Sequence, residues 1–112
     1  MPPSVTGLLQ SPDGKPGEEQ FIPLLQTGQL RLEQIVSRGQ GSPTGFWYDQ
    51  PAPEWVALLA GSATLEFDDG CLPLAAGDAL LIPAPCRHRV ARGPQDAIWL
   101  GLHFPACAGA LR

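Results

Sequence analysis

Glu54 opens and His88 closes the most ordered run of this sequence, EWVALLAGSATLEFDDGCLPLAAGDALLIPAPCRH. A carboxylate held within hydrogen-bond reach of an imidazole is a general acid/base pair, the imidazole moving the proton and the carboxylate holding it in place. Whether the two meet depends on what lies between them. Three strand-like runs do, separated by Ala60-Gly61-Ser62, Asp68-Asp69-Gly70 and Ala76-Gly77-Asp78, and a Pro83-Ala84-Pro85 corner leads into the histidine. Strands folded against one another would bring both ends of the run into one interior. Glu54 and His88 are therefore the candidate catalytic pair. Trp47, Tyr48 and Trp99, with Gln50 beside them, are candidates for lining a pocket that takes a small ligand.

The rest of the chain reads as strands that would build such an interior. Gln29 to Ser37 suggests a strand with Leu30, Leu32, Gln34 and Val36 on one face and Arg31 and Glu33 on the other. Phe21 to Gln26 is a shorter strand, weakened by Pro23. Glu54 to Ala60 is apolar on both faces, as in a central strand. Ser62 to Asp68 alternates, and Asp69-Gly70 predicts a hairpin with a type I′ turn. Cys71 to Ala75 returns as its partner, with Pro73 pointing to an edge position. Arg87 to Ala91 puts His88 and Val90 on one face. Ala97 to Phe104 puts Trp99 and His103 on the face opposite Ile98 and Leu100. No amphipathic helix is predicted, so the class is all-β. The expected organisation is an arm over residues 1–20, a barrel over 21–105 and a tail over 106–112.

Composition narrows the partners. The chain has 112 residues, enough for one domain, with 44% hydrophobic residues and a net charge of −4. Its seven Lys and Arg form no basic run, so no nucleic-acid partner is expected, and Arg87, Arg89 and Arg92 read as a solvated face. No segment has the roughly 18 apolar residues of a membrane span, so no membrane partner is expected either. The first twenty residues lack the basic start and apolar centre of a secretory signal. Three cysteines, Cys71, Cys86 and Cys107, have no CxxC spacing and read as reduced thiols, which fits a cytoplasmic protein.

The run from Gly77 through Asp78, Pro83 and Pro85 to His88 resembles the second signature motif of the cupin superfamily: Gly, five residues, Pro, one residue, Gly, two residues, His. Pro85 stands where that motif has its second glycine. Glu54 to Gly61 is similar to the end of the first motif, in which a glutamate precedes a glycine by seven. The runs SPTGFWYDQ, LLIPAPCRHRV and IWLGLHF also look like a group of small bacterial cupins without an assigned reaction. The resemblance implies a cupin-type double-stranded β-helix, the germin- and RmlC-like jelly-roll barrel.

It also implies a metal, Mn, Fe, Ni or Zn, held by His-x-His and Glu from the first motif and His from the second. Glu54 and His88 match. The His-x-His positions fall on Trp47 and Asp49, or on Tyr48 and Gln50, and neither pair contains a histidine. Two smaller sets are left. Glu54, His88 and His103 form a two-histidine, one-carboxylate set with open positions for O₂ or water chemistry. Asp49, Glu54 and His88 form a harder set suited to Mn or Zn. Three functions follow as alternatives: a metal-assisted enzyme or sensor acting on a small molecule, a metal-free ligand-binding module, or a structural cupin. Cupin-like sheets commonly pair through an outer apolar face, which implies a homodimer, and Trp55 to Leu59 would supply that face.

Overall fold

The computed structural model describes residues 2–11, 13–14, 19–39, 45–91 and 96–105. The predicted tail over 106–112, the loops over 40–44 and 92–95, Arg92 and Cys107 lie outside the described residues. Seven strands account for the fold: β1 (Gln20–Thr27), β2 (Leu30–Arg38), β3 (Glu54–Phe67), β4 (Gly70–Ala75), β5 (Ala79–Ile82), β6 (His88–Val90) and β7 (Asp96–His103). No helix occurs among the described residues, and so none is long and apolar enough to cross a membrane. All pairings are antiparallel. One sheet runs β1-β2-β7-β3-β5 and the other β4-β3-β6, so β3 belongs to both. This is a jelly roll, with the core between the two layers.

The two strands expected on either side of Ala60-Gly61-Ser62 are one strand, β3, of 14 residues. Its pairing with β7 slips between Leu58 and Ala60, a β-bulge that bends the strand from one sheet into the other. Gly61 sits at the bend with φ of 83°. A Cβ there would collide with the Asp96 carbonyl, so the residue that looked like a turn is instead a close crossing of two strands.

The Gly77-Asp78 pair closes the β4–β5 turn. Asp78 accepts from the Ala75 amide through Oδ2 at 2.8 Å, and Gly77 takes φ of 98°. The same turn holds the bulge: the Gly77 amide donates to the Leu58 carbonyl at 2.7 Å, and the Leu58 amide donates to the Asp78 carbonyl at 2.8 Å. The β3–β4 hairpin forms where predicted, with Phe67 paired to Gly70. Its turn residues are Asp68 and Asp69, however, and no described non-glycine residue has positive φ. The turn is therefore not type I′, because Gly70 follows it and takes the unusual angle itself, at 154°. β4 pairs with β3 alone, the edge position that Pro73 requires.

Val56, Leu58, Leu65, Leu74, Ile82, Ala97 and Trp99 form the buried core. On β2 the residues alternate as predicted, and the face that carries Arg31 and Glu33 is the inner one. Arg31, Glu33 and Ile35 look into the interior, while Gln34 looks out and donates through Nε2 to the carbonyls of Leu8 at 2.9 Å and Gln10 at 2.7 Å. The segment before β1 thus covers the outer face of β2, and polar residues are buried on both sides of the strand. Trp55 and Leu81 are paired on the outer face of β3 and β5, each 37% exposed.

Candidate metal centre

The antiparallel register sets inward-facing side chains in rows across the larger sheet. Arg31 on β2 pairs with His103 on β7, His103 with Glu54 on β3, and Glu54 with Ile82 on β5. Two residues along, Glu33, Gly101 and Val56 form the next row on the same face, and Ile35, Trp99 and Leu58 the third. Charged and polar groups are thus gathered in the first row and a half, with apolar side chains beyond. Pro53, buried to under 2% exposure, fixes the start of β3.

Gly101 explains how two carboxylates meet there. A Cβ on it would lie 3.3 Å from Glu54 Oε2 and 3.2 Å from Ile35 Cδ1. The missing side chain leaves the gap into which the Glu33 and Glu54 side chains reach from either side. His103 lies where they converge, its Nε2 3.0 Å from Glu33 Oε2 and 3.3 Å from Glu54 Oε2. Single ligand atoms of Glu33, Glu54 and His103 all fall within 4.8 Å of one another.

His88 approaches from the smaller sheet, paired to Phe67 on β3 and joined to Tyr48 by two backbone hydrogen bonds of 2.8 and 3.0 Å. The Tyr48 and His88 rings stack, with centroids 5.4 Å apart. The His88 Nδ1 lies 3.1 Å from the Cys86 carbonyl oxygen. A carbonyl only accepts, so Nδ1 carries the hydrogen and Nε2 of the neutral ring offers its lone pair to the interior. That Nε2 is 3.8 Å from Glu54 Oε1, too far for a direct hydrogen bond and close enough to share an ion or a proton-bearing group with it. Cys86 is half-buried against the core.

Burial raises the Glu54 carboxyl above its ordinary value. The His103 and His88 rings pull it back down, and the Glu33 charge pushes it up again. The Tyr48 phenol is pushed up to about 12, first by burial and then by the charges of Glu19, Glu54 and Glu33, with a hydrogen bond to Glu19 in the same direction. It is therefore a hydrogen-bond donor at any physiological pH.

These groups open into a cavity of about 330 Å³. Tyr48, Gln50 and Trp99 line it, as do Glu54, His88 and His103. Two predicted site residues lie elsewhere. Asp49 is exposed and belongs to a separate surface depression with Asp68, Asp69 and Arg87. Trp47 lies under two guanidinium groups, with Arg87 4.7 Å and Arg89 5.7 Å from its ring centre. The reason is alternation: Tyr48, bridged to His88, and Gln50 point inward, so Trp47 before them and Asp49 between them point outward. The residue that the sequence reading missed is Glu33. Nothing in its own neighbourhood marks it, because its meeting with His103 depends on the β2–β7 register.

A protein from Ralstonia eutropha JMP134, provisionally named a mannose-6-phosphate isomerase, is 44% identical and superposes with a TM-score of 0.83, over 93% of this chain and 100% of its own. A cupin superfamily protein from Desulfitobacterium hafniense DCB-2 superposes with a TM-score of 0.73 at 18% identity, over 84% of each chain. The chain shares its fold with cupin superfamily proteins. An RmlC-like cupin from Shewanella frigidimarina shares the fold as well, with a TM-score of 0.69 at 19% identity over 82% of this chain and 80% of that one. No protein-family model and no curated protein matches the sequence. In this chain no histidine stands at the His-x-His positions that the resemblance implied; the second carboxylate near Glu54 comes from β2 and an imidazole from β7.

The donor set fits a divalent ion. Two carboxylates with one imidazole, and a second imidazole facing them, offer the hard and borderline ligands that Mn, Fe, Ni and Zn accept. Of the two carboxylates, Glu33 pairs with the Arg31 guanidinium at 3.6 Å, while the ion-pair partners of Glu54 among the described residues are the two imidazoles.

Proposed function

We propose that this chain is a divalent-metal-dependent protein acting on a small molecule held in its interior cavity. Glu33, Glu54 and His103 hold the ion, and His88 completes or faces the site. The observation that carries this reading is the convergence of three ligand atoms within 4.8 Å at one end of a 330 Å³ cavity. An ion there would supply Lewis-acid polarisation of a substrate oxygen or of a bound water. His88, its Nδ1 engaged by the Cys86 carbonyl, presents a fixed basic nitrogen to the cavity. The protonated Tyr48 phenol donates beside it. The apolar inner rows exclude water from whatever is bound.

The name of the Ralstonia relative supports a narrower reading, isomerisation of a sugar phosphate, and the 44% identity favours it. Against it stands the lining of the cavity. Arg31 is the one Lys or Arg among its described residues, and Glu33 already faces it.

Metal analysis of protein prepared without a metal-binding tag tests the reading. Near-stoichiometric Mn, Fe, Ni or Zn is expected, with uptake lost in Glu33→Gln and in His103→Gln. A folded protein that is empty and ignores all four added ions would overturn it. If metal-loaded protein isomerises mannose 6-phosphate, the narrower reading takes its place.

A further inference from the structure

The cavity has a direction. Along the larger sheet Arg31, His103 and Glu54 stand in the first row with Ile82, Glu33 in the second with Val56, and Ile35 and Trp99 in the third, while His88 and Leu65 line the cavity as well. Each step of two residues along a strand advances about 7 Å. A ligand anchored between Glu33 and Glu54 therefore has Val56 beside its first carbons, and the Ile35–Trp99 row lies one further step away.

Charge sets what the polar end accepts. Three carboxylates, Glu19, Glu33 and Glu54, face one guanidinium, Arg31, around the cavity. An anionic head is repelled by that set on its own and attracted once a divalent ion offsets the Glu33 and Glu54 charges. The apolar lining offers few donors for hydroxyls or phosphate: Ile35, Val56, Leu65 and Ile82 have none, and the Trp99 indole has a single N–H. A polar group pushed there loses its hydration with little in return.

We infer that the ligand is a small amphipathic acid, with a chelating oxygen head at the Glu33–Glu54–His103 end and a branched aliphatic or aromatic body against Val56, Leu65 and Trp99. This rests on the metal reading above and adds the class of the ligand. The 2-oxo acids are the simplest probes, because head and body vary separately. Pyruvate carries the head alone, 4-methyl-2-oxopentanoate adds three apolar carbons, and 2-oxoglutarate ends in a second charge.

Calorimetric titration of protein offered Mn²⁺, Fe²⁺, Ni²⁺ or Zn²⁺ and loaded with the ion it retains decides the matter. Burial of three extra carbons predicts binding of 4-methyl-2-oxopentanoate about 50-fold tighter than pyruvate at full burial, and at least tenfold tighter with partial burial. The 2-oxoglutarate arm is expected to bind more weakly than 4-methyl-2-oxopentanoate, and metal-free protein to bind none of the three. In Val56→Thr, which keeps the shape and adds a hydroxyl against the ligand body, the ratio of the 4-methyl-2-oxopentanoate affinity to the pyruvate affinity shrinks. Equal affinities across the series, or a preference for 2-oxoglutarate, overturn the ligand class and leave the metal site standing. Failure to retain any ion overturns both, and is read directly from the loading step before any acid is added.

Discussion

Replacing Gly101 by alanine tests whether the two carboxylates meet because one side chain is missing. The new Cβ would stand 3.2 Å from Ile35 Cδ1, 3.3 Å from Glu54 Oε2 and 3.7 Å from Glu33 Cγ. Comfortable contacts lie near 3.5–4.0 Å, so Ile35 and the Glu54 carboxylate must each withdraw by about 0.2–0.5 Å. Gly101 has no positive φ, so alanine fits the backbone and stiffens the unfolded chain, stabilising by about 0.4–1 kcal/mol. Overpacking at a crowded site costs about 1–3 kcal/mol. The gain offsets part of the cost, leaving a net loss of about 0–2.6 kcal/mol. Metal binding should suffer more, because the displaced oxygen is itself one of the donors: a drop of about 10–100-fold is the scale for disturbing the groups that orient metal ligands. Competition against a chromophoric chelator measures the affinity, and thermal unfolding of the metal-free protein measures the fold. An alanine variant that binds metal as tightly as the parent would refute the reasoning, since the carboxylates would then have room to spare.

Glu54→Gln should change the pH dependence of the metal-free protein. Burial raises the Glu54 carboxyl above its ordinary 4.5, so the folded state holds that proton more firmly than the unfolded chain does. The stability this provides is complete below the ordinary value and is lost as pH rises through the raised one. Denaturant unfolding between pH 5 and pH 8 should show the parent losing stability relative to the glutamine variant as pH rises, and parallel curves would count against a buried carboxylate. Gly61→Ala should destabilise by about 3 kcal/mol or more, because alanine at positive φ costs about 1–2 kcal/mol and its Cβ meets the Asp96 carbonyl. A loss under about 1 kcal/mol by the same denaturant assay would contradict the close crossing of β3 and β7.

How much was legible differs residue by residue. Glu54 and His88 converge as their motif spacing suggested, because the Gly77-Asp78 turn and the Pro83-Ala84-Pro85 corner have local signatures that need no knowledge of the rest of the chain. Trp99 and His103 were visible as one face of β7, though not as the inner face. Glu33 falls with Arg31 on one face of β2 as predicted, but nothing in the run says that this face is the inner one. Its strand is polar on both faces, and only the covering of Gln34 by the Leu8 and Gln10 carbonyls, a contact between distant segments, decides which face is inside. Asp49 was displaced by a single step of alternation, which the Tyr48–His88 bridge fixes and the short run before Pro51 does not. Local chemistry can be read from local sequence. Register between strands cannot.

The bulge in β3 makes this strand behave like a message with a reading frame. Glu54, Val56 and Leu58 occupy even positions of the inner face, and Leu65 and Phe67 occupy odd ones, so a regular strand could not point both groups inward. The slip between Leu58 and Ala60 shifts the frame once. A single residue inserted or deleted elsewhere along β3 would therefore turn one end of the strand inside out, putting either the carboxylate or the core leucine in water. Changes of two residues would preserve the frame and alter only its length. For this chain, parity along one strand is inherited as strictly as the identity of the ligands it carries.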